Sequence, residues 1–135
     1  RWTLRDKVAQ RRLALRYVSQ PKNNMPHCII EHSPNIPPEG LLQAVFNGAL
    51  HSQLFLPDGA DIKVRAIAYQ NFKLGDGKAS FVHVIVKILA GRTDEQKQRL
   101  SQEIIKKLSD LGHQDISITV EVVDMERQSY QKHLA

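Results

Sequence analysis

Phe81-Val82-His83-Val84-Ile85-Val86-Lys87-Ile88-Leu89 runs straight into Ala90-Gly91-Arg92-Thr93-Asp94-Glu95-Gln96, and the join between the two decides the fold. Every second residue of the first stretch is aliphatic (Val82, Val84, Val86, Ile88), while the alternate set is mixed (Phe81, His83, Ile85, Lys87). That period of two predicts a strand with one face buried. Thr93 with Gln96 three positions on is a capping box, so a helix starts there. Leu100, Ile104, Ile105, Leu108 and Leu111 then recur at helical spacing as the buried stripe. Lys106 and Lys107 suit the negative end of the helix dipole, and Gly112 suits its cap. Ile116-Ser117-Ile118-Thr119-Val120-Glu121-Val122 returns to strict alternation, which marks a half-buried strand. This half of the chain reads β-α-β.

The upstream half repeats the plan. Pro26 to Ser33 contains Cys28-Ile29-Ile30, a short apolar run suited to a buried strand. Ser33-Pro34-Asn35-Ile36-Pro37-Pro38 is a turn that leads into proline at the first helical turn, where a missing N–H costs nothing. Leu41, Leu42, Val45, Phe46, Ala49 and Leu50 make one apolar stripe, and Pro57-Asp58-Gly59 stops the helix. Ile62 to Tyr69 reads as a strand, with Lys63 and Arg65 on one face and Ile62 and Val64 on the other. Asp76-Gly77 is a tight-turn signal in the connection that follows. Two β-α-β units with short crossovers predict an α+β domain, a four-stranded sheet with two helices on one face. The other face and the edges are left uncovered, so a homo-oligomer that buries them is expected.

Composition narrows the function. With 135 residues, 41% hydrophobic and 24% charged, the chain suits one compact domain and excludes wholesale disorder. No apolar run approaches the ~20 residues of a membrane span, and Cys28, the single cysteine, cannot close an internal disulfide. No Cys/His cluster has zinc spacing. A soluble, cytoplasmic protein without metal is the expectation, with no membrane partner. The net charge of +5 is unevenly spread. Residues 1–24 carry Arg1, Arg5, Lys7, Arg11, Arg12, Arg16 and Lys22 against Asp6 alone, whereas residues 25–135 hold 12 basic and 13 acidic side chains. The chain therefore divides into a basic extension, ending in the breaker-rich Gln20-Pro21-Lys22-Asn23-Asn24, and a nearly neutral domain over 25–135. A neutral body argues against nucleic acid as partner. The extension reads as a dispensable, partly helical segment, as a basic arm for nucleic acid or acidic lipid, or as an Arg-rich targeting segment. A further option is that it lies upstream of a working protein that starts at Met25.

Most catalytic signatures are missing. Gly75-Asp76-Gly77 is a turn and not a phosphate loop, and Ser33, Ser80 and Ser101 lack the context of a nucleophile elbow. Cys28 lies mid-strand, where a buried, inert thiol is expected. The six histidines are scattered, with no i, i+4 pair on a helix. His27 and His83 stand out because both can share one face near the sheet centre.

Two stretches resemble a known family. Met25-Pro26-His27-Cys28-Ile29-Ile30-Glu31-His32-Ser33-Pro34-Asn35-Ile36 is similar to the mature N-terminus of 5-carboxymethyl-2-hydroxymuconate isomerases. Phe81 to Arg92 resembles the same enzymes' strand signature, which ends in Ala-Gly-Arg before a helix. The resemblance places residues 25 to about 125 in the tautomerase superfamily. It implies a homotrimer, no cofactor, and keto–enol chemistry on a small anionic enol acid during aromatic-acid (homoprotocatechuate) degradation. It further implies that Pro26, as a free N-terminal secondary amine, is the general base, and that Arg92 binds a substrate carboxylate with its two-pronged guanidinium. The family's Gly-Ile-Arg-x-Arg corresponds to Asp61-Ile62-Lys63-Val64-Arg65, so Lys63 replaces the first arginine and Arg65 matches the second. Lysine holds an anion without bidentate geometry, which bears on substrate choice. Lys63, Arg65, His27 and His83 form the expected substrate-binding set. The tail from Glu126 to Ala135 is shorter than the family pattern. If residues 1–24 stay attached, the Pro26 nitrogen is a tertiary amide with no basic lone pair. The alternatives are a tautomerase of another enol acid, phenylpyruvate-like or oxalocrotonate-like, and a non-enzymatic oligomer with a basic arm.

Overall fold

The computed structural model describes residues 3–7 and 25–135. Its domain runs β1 (His27–His32), α1 (Pro38–His51), β2 (Lys63–Ala68), β3 (Ser80–Leu89), α2 (Asp94–Ser109) and β4 (Ile116–Met125). The strand order is β2-β1-β3-β4. Within each β-α-β unit the strands are parallel, and the two units join through antiparallel β1 and β3. The four-stranded α+β sheet with both helices on one face is therefore the fold. β4 runs on past Val122 to Met125, because Val123, Asp124 and Met125 find partners in Lys87, Ile88 and Leu89.

Local chemistry explains the boundaries. Pro38 occupies the first turn of α1. At α2, Thr93 Oγ1 accepts from the Gln96 N–H at 3.1 Å, and Gln96 Oε1 accepts from the Thr93 N–H at 2.8 Å. This reciprocal pair is the capping box that the sequence predicts. Leu111 departs from expectation: it is 40% exposed. The helix ends at Ser109 with Asp110 as its cap, so Leu111 falls in the turn beyond and leaves the buried face.

The covered face is the core. Cys28 and Ile30 of β1 and Val82, Val84, Val86 and Ile88 of β3 pack against Leu41, Val45 and Ala49 of α1 and Leu100, Ile104 and Leu108 of α2. None of these exceeds 1% exposure. The helices touch at Gly48, where an added Cβ would lie 2.7 Å from the Ile104 Cα. The opposite face carries His27, Ile29, Glu31, Lys63, Arg65, Ile67, Phe81, His83, Ile85 and Lys87, with no helix over it among the described residues. Phe72 packs on Phe81 at one end, ring centroids 5.0 Å apart.

Of the basic extension, residues 3–7 form a helical turn capped by Thr3, whose side chain bonds Asp6. The linker at 20–24 and the other arginines lie outside the described residues. Among the described residues, no helix is long and apolar enough to cross a membrane.

Candidate active site

Pro26 sits at the head of β1 with its side chain fully buried. Its carbonyl accepts the Lys63 N–H at 3.1 Å, so the β1–β2 ladder extends one step to fix it. Its nitrogen is bonded to Met25 and is an amide in this chain. Two ammonium groups approach the Met25 sulfur: Lys63 Nζ at 4.0 Å and Lys132 Nζ at 3.1 Å.

His27, the next residue, points to the open face. Its Nδ1 lies 3.2 Å from Arg65 Nη1 and its Nε2 lies 2.9 Å from the Tyr130 hydroxyl. Arginine can only donate, so Nδ1 accepts and the neutral ring carries its proton on Nε2, toward Tyr130. Burial holds the imidazole below its usual pKa, and Arg65, Lys63, Lys87 and Lys132 push the same way.

A cavity of about 680 Å³ opens beside Met25, walled by Leu89, Arg127, Tyr130, Lys132 and Leu134. The C-terminal tail forms most of that wall. Arg127 Nε donates to the Ala90 carbonyl. Gly91 permits this approach, since it adopts φ 126° and a Cβ there would lie 3.1 Å from Arg127 Nη2. Arg127, Tyr130 and Lys132 were not legible as site residues, because the tail has no periodicity and no motif to mark them.

Arg92 is half-buried in the turn ahead of α2. Its Nη2 donates to the Leu54 carbonyl at 2.7 Å, tying that turn to the α1–β2 loop. Burial lowers its pKa and Arg127 adds to this, while Asp61 opposes them. Asp61 is itself only 3% exposed and accepts the Leu56 N–H. Arg92 is not among the walls of the Met25 cavity.

The expected substrate-binding set is thus split. His27, Lys63 and Arg65 gather at the Pro26 end of the sheet. His83 shares their face but faces Glu31, whereas His27 faces Lys87. Strand rise puts about 13 Å between those two levels. There His83 Nε2 meets Glu121 at 2.5 Å and Nδ1 meets Thr119 at 2.6 Å, so it belongs to a separate cluster. Cys28 is fully buried, and burial pushes its thiol up to about 12. Among the described residues, no group of three or more His, Cys, Asp or Glu side chains could hold a metal ion.

Comparison with known proteins completes the picture. The family model described as 5-carboxymethyl-2-hydroxymuconate isomerase matches residues 26–134. A solved 5-carboxymethyl-2-hydroxymuconate isomerase from Deinococcus radiodurans R1 is 25% identical, over 82% of this chain and 90% of that one, with a TM-score of 0.67. A probable enzyme from the thermophilic fungus Aspergillus fumigatus is also 25% identical, covering 81% of each chain at a TM-score of 0.62. A fused 4-OT asymmetric trimer, 16% identical over 78% of this chain and 91% of that one, shares the fold at a TM-score of 0.65. No curated protein matches the sequence.

Proposed function

The chain belongs to the 5-carboxymethyl-2-hydroxymuconate isomerase family, and from that premise we propose that this isomerase ketonises 5-carboxymethyl-2-hydroxymuconate, with Pro26 as general base once it is the chain terminus. The observation that carries the reading is the setting of Pro26. The family match starts at this residue, which is buried beside converging cations.

In a chain that begins at Pro26 the nitrogen is a secondary amine, a group with an ordinary pKa of about 7.7–8. Burial and the ammonium group of Lys63 both disfavour its protonated form, which keeps the lone pair available at neutral pH. The amine takes the proton of the dienol 2-hydroxyl. The O–H electron pair becomes the new C=O π bond, the diene electrons shift along the chain, and carbon takes the proton back from the ammonium. Atoms and charge balance, and the amine ends as it began, with no cofactor in any step. Arg92 and Arg65 supply planar, two-pronged partners for carboxylates, Lys63 a point charge, and neutral His27 a polar contact. His83 is left out of this site. Assembly as a homotrimer is part of this reading: the structurally similar 4-OT chains are trimers by description, and among the described residues no helix covers the open sheet face.

The test compares residues 26–135 with the 135-residue chain, following loss of dienol absorbance. The trimmed form should exceed the longer one by at least about a hundredfold, the scale of general base catalysis. A trimmed form no faster than buffer overturns the reading. A second reading rests on Lys63 in place of arginine: the same base acting on another small enol acid. Phenylenolpyruvate and 2-hydroxymuconate, run beside the first substrate, separate the two.

A further inference from the structure

Lys63 and Lys132 both close on a thioether, a weak acceptor with no charge to offset theirs. Among the described residues neither makes an ion pair with a carboxylate, and Arg127 adds a third cation to the same cavity. Like charges brought together repel; Asp61 offsets part of the charge of Lys63, and an anion between the two ammonium groups would relieve the rest. Leu89, Tyr130 and Leu134 give the same cavity an apolar side that suits a short carbon chain. The Met25 sulfur is the atom that both ammonium groups approach, so a chain that starts at Pro26 has no thioether between them.

We propose that Lys132, carried on the C-terminal tail, is a specificity-determining residue that pairs with Lys63 to take a further carboxylate, beyond the one beside the enol, of a short unsaturated di- or tricarboxylic acid. This inference rests on the reading of Pro26 as the base of an enol-acid tautomerase. The tail is held in place for the role by the Tyr130–His27 contact and by Arg127 on the Ala90 carbonyl.

The experiment uses residues 26–135 with Lys132→Gln, Lys132→Arg and the control Lys106→Gln, which removes the same charge from the exposed side of α2. Kinetics are measured on 5-carboxymethyl-2-hydroxymuconate and on the monocarboxylic phenylenolpyruvate. Binding of adipate and of hexanoate, neither of which can react, is measured by calorimetry. Lys132→Gln should raise KM for the multiply charged acid and weaken adipate binding by roughly ten- to a hundredfold, the worth of one charge-assisted hydrogen bond. The same variant should leave kcat, phenylenolpyruvate and hexanoate nearly unchanged, and Lys132→Arg should retain most of the affinity. Equal losses for mono- and dicarboxylates, no loss, or an equal loss in Lys106→Gln would each overturn the proposal. The two readings fail separately. Adipate binding that depends on Lys132, in a chain without turnover, sinks the Pro26 mechanism alone. Turnover that is indifferent to Lys132 sinks this proposal alone.

Discussion

His27 shows how the surroundings of one side chain set its chemistry. Burial acts first, and Arg65, Lys63, Lys87 and Lys132 reinforce it, so the folded imidazole binds a proton less readily than the unfolded one, whose pKa is 6.5. The contribution to stability is complete above pH 6.5 and is lost as pH falls below that value toward the depressed folded one. His27→Gln, which keeps an amide donor for Tyr130, should flatten the fall of melting temperature below pH 6.5 seen in the parent protein. Cys28, fully buried with its thiol pushed up to about 12, should resist alkylation at pH 8 until the protein unfolds. At this scale the proximity of Pro26 and Lys63 was legible because each sits in a dense local motif, whereas Arg92, in such a motif too, lies outside the Met25 cavity. Tyr130 and Lys132 were not, since they meet His27 and Met25 across separations of 103 and 107 residues that no local pattern encodes.

Among the elements, the crossing of α1 and α2 is the tightest point. Gly48→Ala would push a methyl group to 2.7 Å from the Ile104 backbone. Neither backbone can give way locally, so the helices must separate, at a cost of about 1–3 kcal/mol by urea denaturation. Thr93→Ala removes the acceptor for the Gln96 N–H and should cost about 1 kcal/mol. The starts of both helices were legible because proline and a capping box are short-range devices. The loss of Leu111 from the core was not, because a periodic pattern continues on paper after the backbone has turned. The length of β4 depends likewise on a partner strand, which periodicity within β4 cannot report.

For the molecule as a whole, the proposed assembly would cover the sheet face bearing Ile29, Ile67, Phe81 and Ile85. Ile67 is 52% exposed, and apolar side chains interleaved with charged ones on an open sheet face suit burial against another subunit. Ile85→Lys, at the centre of that face and outside the core, should convert the assembly to monomers by sedimentation while leaving helix content unchanged. The two-unit plan was legible since each crossover is short. The antiparallel β1–β3 seam was not, because alternation tells which face a residue takes and not which strand lies beside it.

The Lys63 N–H that grips the Pro26 carbonyl acts on the far side of the residue from the nitrogen. On the reading of Pro26 as the base, whatever precedes the ring would therefore govern its reactivity without governing its seat. Dormant and competent molecules would share the same sheet and helices over residues 27–125, so a preparation judged by folding alone would overstate its working fraction. Titrating the amino terminus with an acylating reagent, not weighing the protein, would count the molecules able to turn over.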